Sequence, residues 1–160
     1  MTALRLRPTT DADLGFVLEA ESDLDNRPFI IPWQRHQHAA ALRDPDIAHR
    51  IAEDDGQNRV GFVILAGLTN ADSSVEFRRI VVASKRRGFG RAMVRAVKGL
   101  AFNELQAHRL WLDVKEHNTR ARALYLSEGF SEEGLLRECI RSPVGFESLV
   151  IMALLRHELR

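Results

Sequence analysis

Val81-Val82-Ala83-Ser84-Lys85-Arg86-Arg87-Gly88-Phe89-Gly90-Arg91-Ala92 reads as the end of a strand, a loop and the start of a helix. Downstream of the loop, Ala92, Met93, Ala96, Val97, Leu100, Ala101 and Leu105 recur at helical spacing, which predicts a helix from Gly88 to Leu105. Gly88 and Gly90 let the backbone approach a ligand with no Cβ in the way, and a helix start presents unpaired N–H groups with a partial positive charge. Lys85, Arg86, Arg87 and Arg91 add four cations within seven residues. The pattern suits a phosphate-bearing ligand such as a diphosphate, and its rival is a solvated basic turn. Met93 stands where a dinucleotide fingerprint needs its third glycine, and the Gly-Lys-Ser/Thr of a P-loop is missing.

Working outward, Val75 to Val82 is a strand in which Phe77 and Ile80 are separated by Arg78 and Arg79, a break in alternation that reads either as a bulge or as noise in the pattern. Ala48 to Glu53 and Arg59 to Leu68 flank Asp54-Asp55-Gly56 and read as an antiparallel hairpin. Leu4 to Arg7 alternates apolar and basic residues as a short strand. A helix follows, capped by Thr10 or Asp11, with Leu14, Val17 and Leu18 on one face. After Pro28 and Pro32, Trp33 to Leu42 is a second helix on a weaker pattern. Beyond the glycine loop come a buried strand at Leu110 to Val114 and a helix from Asn118 to Glu128 closed by Gly129. Two strands, near Leu136 to Ile140 and Phe146 to Leu154, pair around Ser142 to Gly145. The order of elements predicts an α/β (α+β) chain with a mixed sheet covered by helices.

At 160 residues and 45% hydrophobic content, the chain is expected to form one domain, 1–160, with one substantial core. Lys plus Arg number 23 against 22 Asp plus Glu, so the +1 balance gives no general attraction to nucleic acid or an anionic membrane, and neither is expected as a partner. Cys139 is the single cysteine, which excludes an internal disulfide and suits a reducing cytosol. Met1 to Asp11 lacks the apolar core of a signal peptide, and the longest apolar run, Val60 to Leu68, falls far short of the roughly 20 residues of a spanning helix. A soluble, cytoplasmic protein is expected. The histidines show no ligand-like spacing, so no metal site is expected.

Lys85 to Gly90 resembles the Arg/Gln-x-x-Gly-x-Gly/Ala motif of the GNAT superfamily of N-acetyltransferases, with Lys85 in the Arg/Gln place. Leu112-Asp113-Val114-Lys115-Glu116-His117-Asn118 through Ala121, Tyr125 and Gly129-Phe130 is similar to the family's second motif of strand, Asn, Ala, Tyr and Gly-Phe. The ending from Arg137-Glu138 to Met152-Ala153-Leu154-Leu155 resembles the subgroup of ribosomal-protein N-terminal and spermidine acetyltransferases. The likeness covers roughly Glu76 to the C-terminus, with weaker echoes in Leu4 to Pro8 and Ile31-Pro32-Trp33. It implies a mostly antiparallel sheet of about six to seven strands flanked by about four helices, with acetyl-CoA as cosubstrate. Ile80, Val81 and Val82 would pair with pantetheine, and Lys85, Arg86, Arg87, Gly88, Phe89, Gly90 and Arg91 would hold the pyrophosphate, largely through backbone N–H groups. Asn118 and Tyr125 would also meet the cofactor.

Amide formation from a thioester needs a neutral amine, donors for the oxyanion and an acid that returns a proton to the thiolate. Tyr125 is the candidate acid, because a phenol stays protonated at neutral pH and this one lies two helical turns beyond Asn118. Its rival role is a core aromatic, and that of Asn118 a helix cap. Glu76 is the candidate acceptor of the amine proton, directly or through water, against a solvated strand-edge charge. His36, His38, His108 and His117 stand outside any motif, and Glu147 is read as a structural pairing. The acceptor is expected to be an amine-bearing small molecule or a peptide N-terminus, met by Asp23 to Leu42 and the terminal hairpin. A homodimer is left open. The competing readings are a non-catalytic CoA-binding or interaction domain and a related acyl or aminoacyl transferase.

Overall fold

In the computed structural model, which describes residues 3–23, 31–83 and 88–159, the chain runs β1 (Arg5–Pro8), α1 (Leu14–Ser22), α2 (Arg35–Leu42), β2 (Ile47–Glu53), β3 (Arg59–Ala66), β4 (Ser74–Val82), α3 (Phe89–Gly99), β5 (Arg109–Lys115), α4 (Thr119–Ser127), β6 (Ser131–Ser142) and β7 (Gly145–Leu155). The seven strands form one sheet in the order β1-β2-β3-β4-β5-β7-β6. Every neighbouring pair is antiparallel except β4 and β5, which α3 joins by a crossover and which therefore run parallel.

Alternation along the strands feeds two cores. On one face Val63, Leu65, Val75, Phe77, Leu110, Leu112 and Val114 pack under Met93, Val94 and Val97 of α3 and Tyr125 of α4. On the other, Ile51, Phe62, Ile64 and Val81 pack under Val17 and Ala20 of α1. Each large apolar side chain so buried contributes about 1.5–3 kcal/mol relative to exposure.

The bulge read from Phe77 and Ile80 is present. Leu65 opposes Phe77 and Ile64 opposes Arg79, which leaves Arg78 without a partner on β3. The extra residue reverses the facing of everything after it. Arg79, two positions beyond Phe77, thereby leaves the α3/α4 face and joins Ile64 on the α1/α2 face.

Several boundaries differ from the sequence reading, three of them with a physical reason. β6 begins at Ser131 rather than near Leu136, because Ser131, Glu132 and Gly134 pair with β7 as an exposed edge, around a bulge at Glu133, with no apolar alternation. The α-helical part of the Gly88 to Leu105 stripe stops at Gly99, and Leu100–Glu104 form a π turn in which the Leu105 N–H donates to the Leu100 carbonyl at 2.9 Å. Pro8 belongs to β1, where an edge strand tolerates its missing N–H.

The end of α4 is fastened to α3 by Glu128. Its carboxylate accepts from Arg91 at 2.6 Å and Arg95 at 3.1 Å and pairs with Lys98 at 3.1 Å. Burial pushes the Glu128 carboxyl up, but the three cations outweigh it and bring it down to about 2.

Candidate active site

Glu76 and Trp111 are the last residues at which β4 and β5 pair. β4 continues to Val82 and β5 to Lys115, so the sheet opens into a fork with one edge of β4 turned into it. Ile80, Val81 and Val82 lie on that edge, and their described sheet partners are Val63, Phe62 and Gly61 of β3. Their outward backbone groups suit an extended, amide-bearing chain.

The open edge leads to the start of α3. Gly88 is the N-cap residue with φ 69°, in the left-handed region, and Phe89 and Gly90 begin the helix. A Cβ added at Gly90 would meet Leu124 and Val82 only at 3.9 Å, and one at Gly88 would meet nothing within 4 Å. Packing therefore does not exclude a side chain at Gly90, and a helix start that among the described residues lies beside an open strand edge fits the diphosphate and pantetheine of acetyl-CoA. Arg91 spends its guanidinium on Glu128 and Ser127. Lys85, Arg86 and Arg87 lie outside the described residues.

Tyr125 is 7% exposed, between Phe77 and Phe130 at ring-centroid distances of 6.2 and 5.7 Å. Burial pushes its phenol above the usual range, so it stays a proton donor at neutral pH. Among the described residues its hydroxyl has no hydrogen-bond partner. Asn118 is the N-cap of α4, its Oδ1 accepting from the Ala121 N–H at 3.3 Å. The side-chain amide is thus at least partly a cap, and the cap residue stands outside the helical register that ties it to Tyr125.

Glu76 and Tyr125 sit on opposite faces of the sheet: Tyr125 packs with Phe77, while Glu76 pairs with Ala66 and Trp111 on the α1/α2 side. Glu76 Oε1 accepts from Arg78 Nε and NH2 at 3.2 and 2.9 Å. Asp113, two residues beyond Trp111 on the same face of β5, had no assigned role in the sequence. Burial and then the nearby Glu76 charge raise its carboxyl above the usual range, with Arg78 opposing. The signal was in the quoted Leu112-Asp113-Val114, but only the pairing of Trp111 with Glu76 shows that Asp113 faces the same opening. Glu147 pairs with Lys115 at 3.0 Å and His117 at 3.4 Å, as a structural pairing would.

Residues 17–130 match the acetyltransferase (GNAT) family. The chain is 33% identical over 84% of its length, and 83% of the relative's, to a spermidine N(1)-acetyltransferase of Vibrio cholerae. It is 25% identical over 96% of its length, and 97% of the relative's, to a ribosomal protein bS18 alanine N-acetyltransferase of Salmonella typhimurium. A solved dodecameric spermidine N-acetyltransferase from Vibrio cholerae superposes with a TM-score of 0.81 at 26% identity, covering 96% of this chain and 94% of that one. With the forked sheet, the glycine-rich start of α3 and the second motif on one scaffold, the chain belongs to the GNAT family of acetyltransferases.

Proposed function

We propose that the enzyme moves an acetyl group from acetyl-CoA to a primary amine held at the α1/α2 side of the fork, with a polyamine as the leading acceptor. The observation that carries this reading is the fork itself: β4 and β5 part beside Glu76, leaving a passage with carboxylates on one face and the Tyr125 phenol on the other. Bound acetyl-CoA supplies an activated thioester. This chain's residues do the rest. The open edge at Ile80, Val81 and Val82 and the N–H groups of Gly88 to Arg91 hold and orient the cosubstrate, with Asn118 at the mouth of α4 and Lys85, Arg86 and Arg87 contributing screened charge attraction. Asp113, or Glu76 freed from Arg78, accepts the amine's proton and keeps the nucleophile neutral. Tyr125 donates its proton to the departing sulfur.

A polyamine is favoured by the 33% identical relative and by the carboxylates at the fork. A peptide N-terminus is the second reading, supported by the bS18 alanine acetyltransferase, which aligns along nearly the whole chain. The deciding experiment is a screen of spermidine, small monoamines and alanine-starting peptides, read as free thiol released from acetyl-CoA. Release with amines sustains the reading. Cosubstrate binding without release to any amine would make the protein a CoA-binding module instead.

The same proposal takes 1–160 as one domain, since both cores lie on one sheet, and takes the enzyme as a homo-oligomer. Support for oligomerisation comes from the dodecameric relative and from the β6–β7 hairpin at the sheet edge, where Leu135, Leu136, Val144 and Phe146 are exposed. Among the described residues no helix is long and apolar enough to cross a membrane. A cytoplasmic site of action belongs to the proposal, because acetyl-CoA is an intracellular metabolite.

A further inference from the structure

The α1/α2 face holds a buried polar chain that the acetyl-transfer steps do not use. Glu21 and His38 are fully buried and His49 nearly so. Thr9 Oγ1 meets His49 Nδ1 at 2.8 Å, His49 Nε2 meets His38 Nδ1 at 3.1 Å, and His38 Nε2 meets Glu21 Oε1 at 2.7 Å. With Nε2–H tautomers on both imidazoles, every bond runs toward Glu21, which also accepts the Trp33 backbone N–H at 3.1 Å. The other carboxylate oxygen pairs with Arg79. The Arg79 guanidinium in turn lies over the Trp33 ring, 5.0 Å from its centroid.

Arg79 stands close to the proposed acceptor position. It is on the same face of β4 as Glu76 and two β3 positions further along the open edge, opposite Ile64 rather than Ala66, or about 7 Å along the strand. The bulge at Arg78 is what turns it to this side. A cation here repels an ammonium acceptor unless its charge is cancelled. Arg78 is answered by Glu76, and Arg79 by Glu21.

We propose that Glu21 sets the enzyme's preference for polycationic acceptors through Arg79, by holding the guanidinium against Trp33 and cancelling its charge on the acceptor face. The inference rests on the acetyl-transfer reading above. Glu21 is a positioning residue, since it touches neither substrate. The buried imidazoles and Thr9 keep its carboxylate aimed, and the resulting pair is nearly neutral as seen from the fork.

The test compares kcat/KM for spermidine with kcat/KM for butylamine, at saturating acetyl-CoA, in Glu21→Gln, Arg79→Gln and the double variant. Glu21→Gln leaves Arg79 uncompensated and should lower the spermidine-to-butylamine ratio by on the order of tenfold. Arg79→Gln leaves the Glu21 anion uncompensated and should raise the ratio. The double variant should return it toward wild type, and both single shifts should shrink at high salt. If Glu21→Gln does not fold by circular dichroism, the rise in Arg79→Gln decides alone. Equal losses on both acceptors, or an unchanged ratio in Arg79→Gln, would overturn the inference while leaving acetyl transfer standing. A wild-type protein that acetylates neither amine would overturn the acetyl-transfer reading and this inference with it.

Discussion

Tyr125 lies edge-on to Phe77 on one face of the sheet, 6.2 Å between ring centroids, while Glu76, the residue before Phe77, turns to the other face. Adjacent strand residues thus point to the two sides of the fork, one toward the phenol and one toward the α1/α2 side. In the proposed reaction this would keep the donor of the returning proton apart from the acceptor of the amine proton, so that they could not quench one another by direct proton exchange. Each can be tested separately.

Replacing Tyr125 by Phe should lower kcat by at least about 100-fold and change KM for acetyl-CoA far less. General acid assistance of that size acts when sulfur becomes anionic and is absent from ground-state binding. Phe keeps the packing between Phe77 and Phe130, so thermal stability should hold. Wild-type chemistry in a single turnover would reduce Tyr125 to a core aromatic.

Asp113 should govern the acid limb of the pH–rate profile. It must be ionised to take a proton, so kcat/KM rises with pH through its raised pKa, and Asp113→Asn should flatten that limb. Glu76 raises the Asp113 pKa by like-charge repulsion, so Glu76→Gln should move the limb to lower pH. A carboxyl with a raised folded pKa contributes stability that is lost as pH rises through it, so Asp113→Asn should not lower Tm near neutrality. An unmoved acid limb in both variants would assign the proton to water.

Gly90→Val should fold, since the nearest atoms to an added Cβ are 3.9 Å away, yet it should lower affinity for acetyl-CoA by blocking backbone approach. Titration calorimetry reads both this loss and the salt dependence expected from Lys85, Arg86 and Arg87. Unchanged affinity in Gly90→Val would remove the pyrophosphate from the start of α3.

His49 should make the fold sensitive to acid. Burial, and then the neighbouring His38, lower its pKa to about 4, against about 6.5 in an unfolded chain. A base whose folded pKa is depressed favours the folded state fully above the unfolded value. As pH falls from about 6.5 to about 4, protonation favours the unfolded chain by up to about 3 kcal/mol. Tm should therefore drop across that window, and less steeply in His49→Gln, whose Tm near neutrality is already reduced by the lost bonds to Thr9 and His38. Equal slopes in both proteins would shift the titration to other groups.

The sequence by itself determined the local elements: the strand that ends at Val82 and the helix that follows Gly88, the hairpin across Asp54 to Gly56, and the Asn118 to Glu128 helix closed by Gly129, while the break between Phe77 and Ile80 left a bulge as one of two readings. Each is written in period, turn residues and caps, which act over a few neighbours. It also carried the family motif with Tyr125 in it. Tertiary structure alone decided which of these residues share a space. Glu76 and Asp113 are far apart in the chain, and only the Glu76–Trp111 pairing puts them on one face of the fork. The same holds for Glu21, His38, His49 and Arg79, whose residue types show no spacing signal and which meet only because α1 and α2 stack on the face of the sheet to which His49 of β2 and Arg79 of β4 turn. The exposed start of β6 escaped for the converse reason, since an edge strand held by backbone bonds to β7 needs no apolar alternation. Periodicity records what a segment does with its own side chains, and register, sheet order and charge pairing are set by segments it has yet to meet.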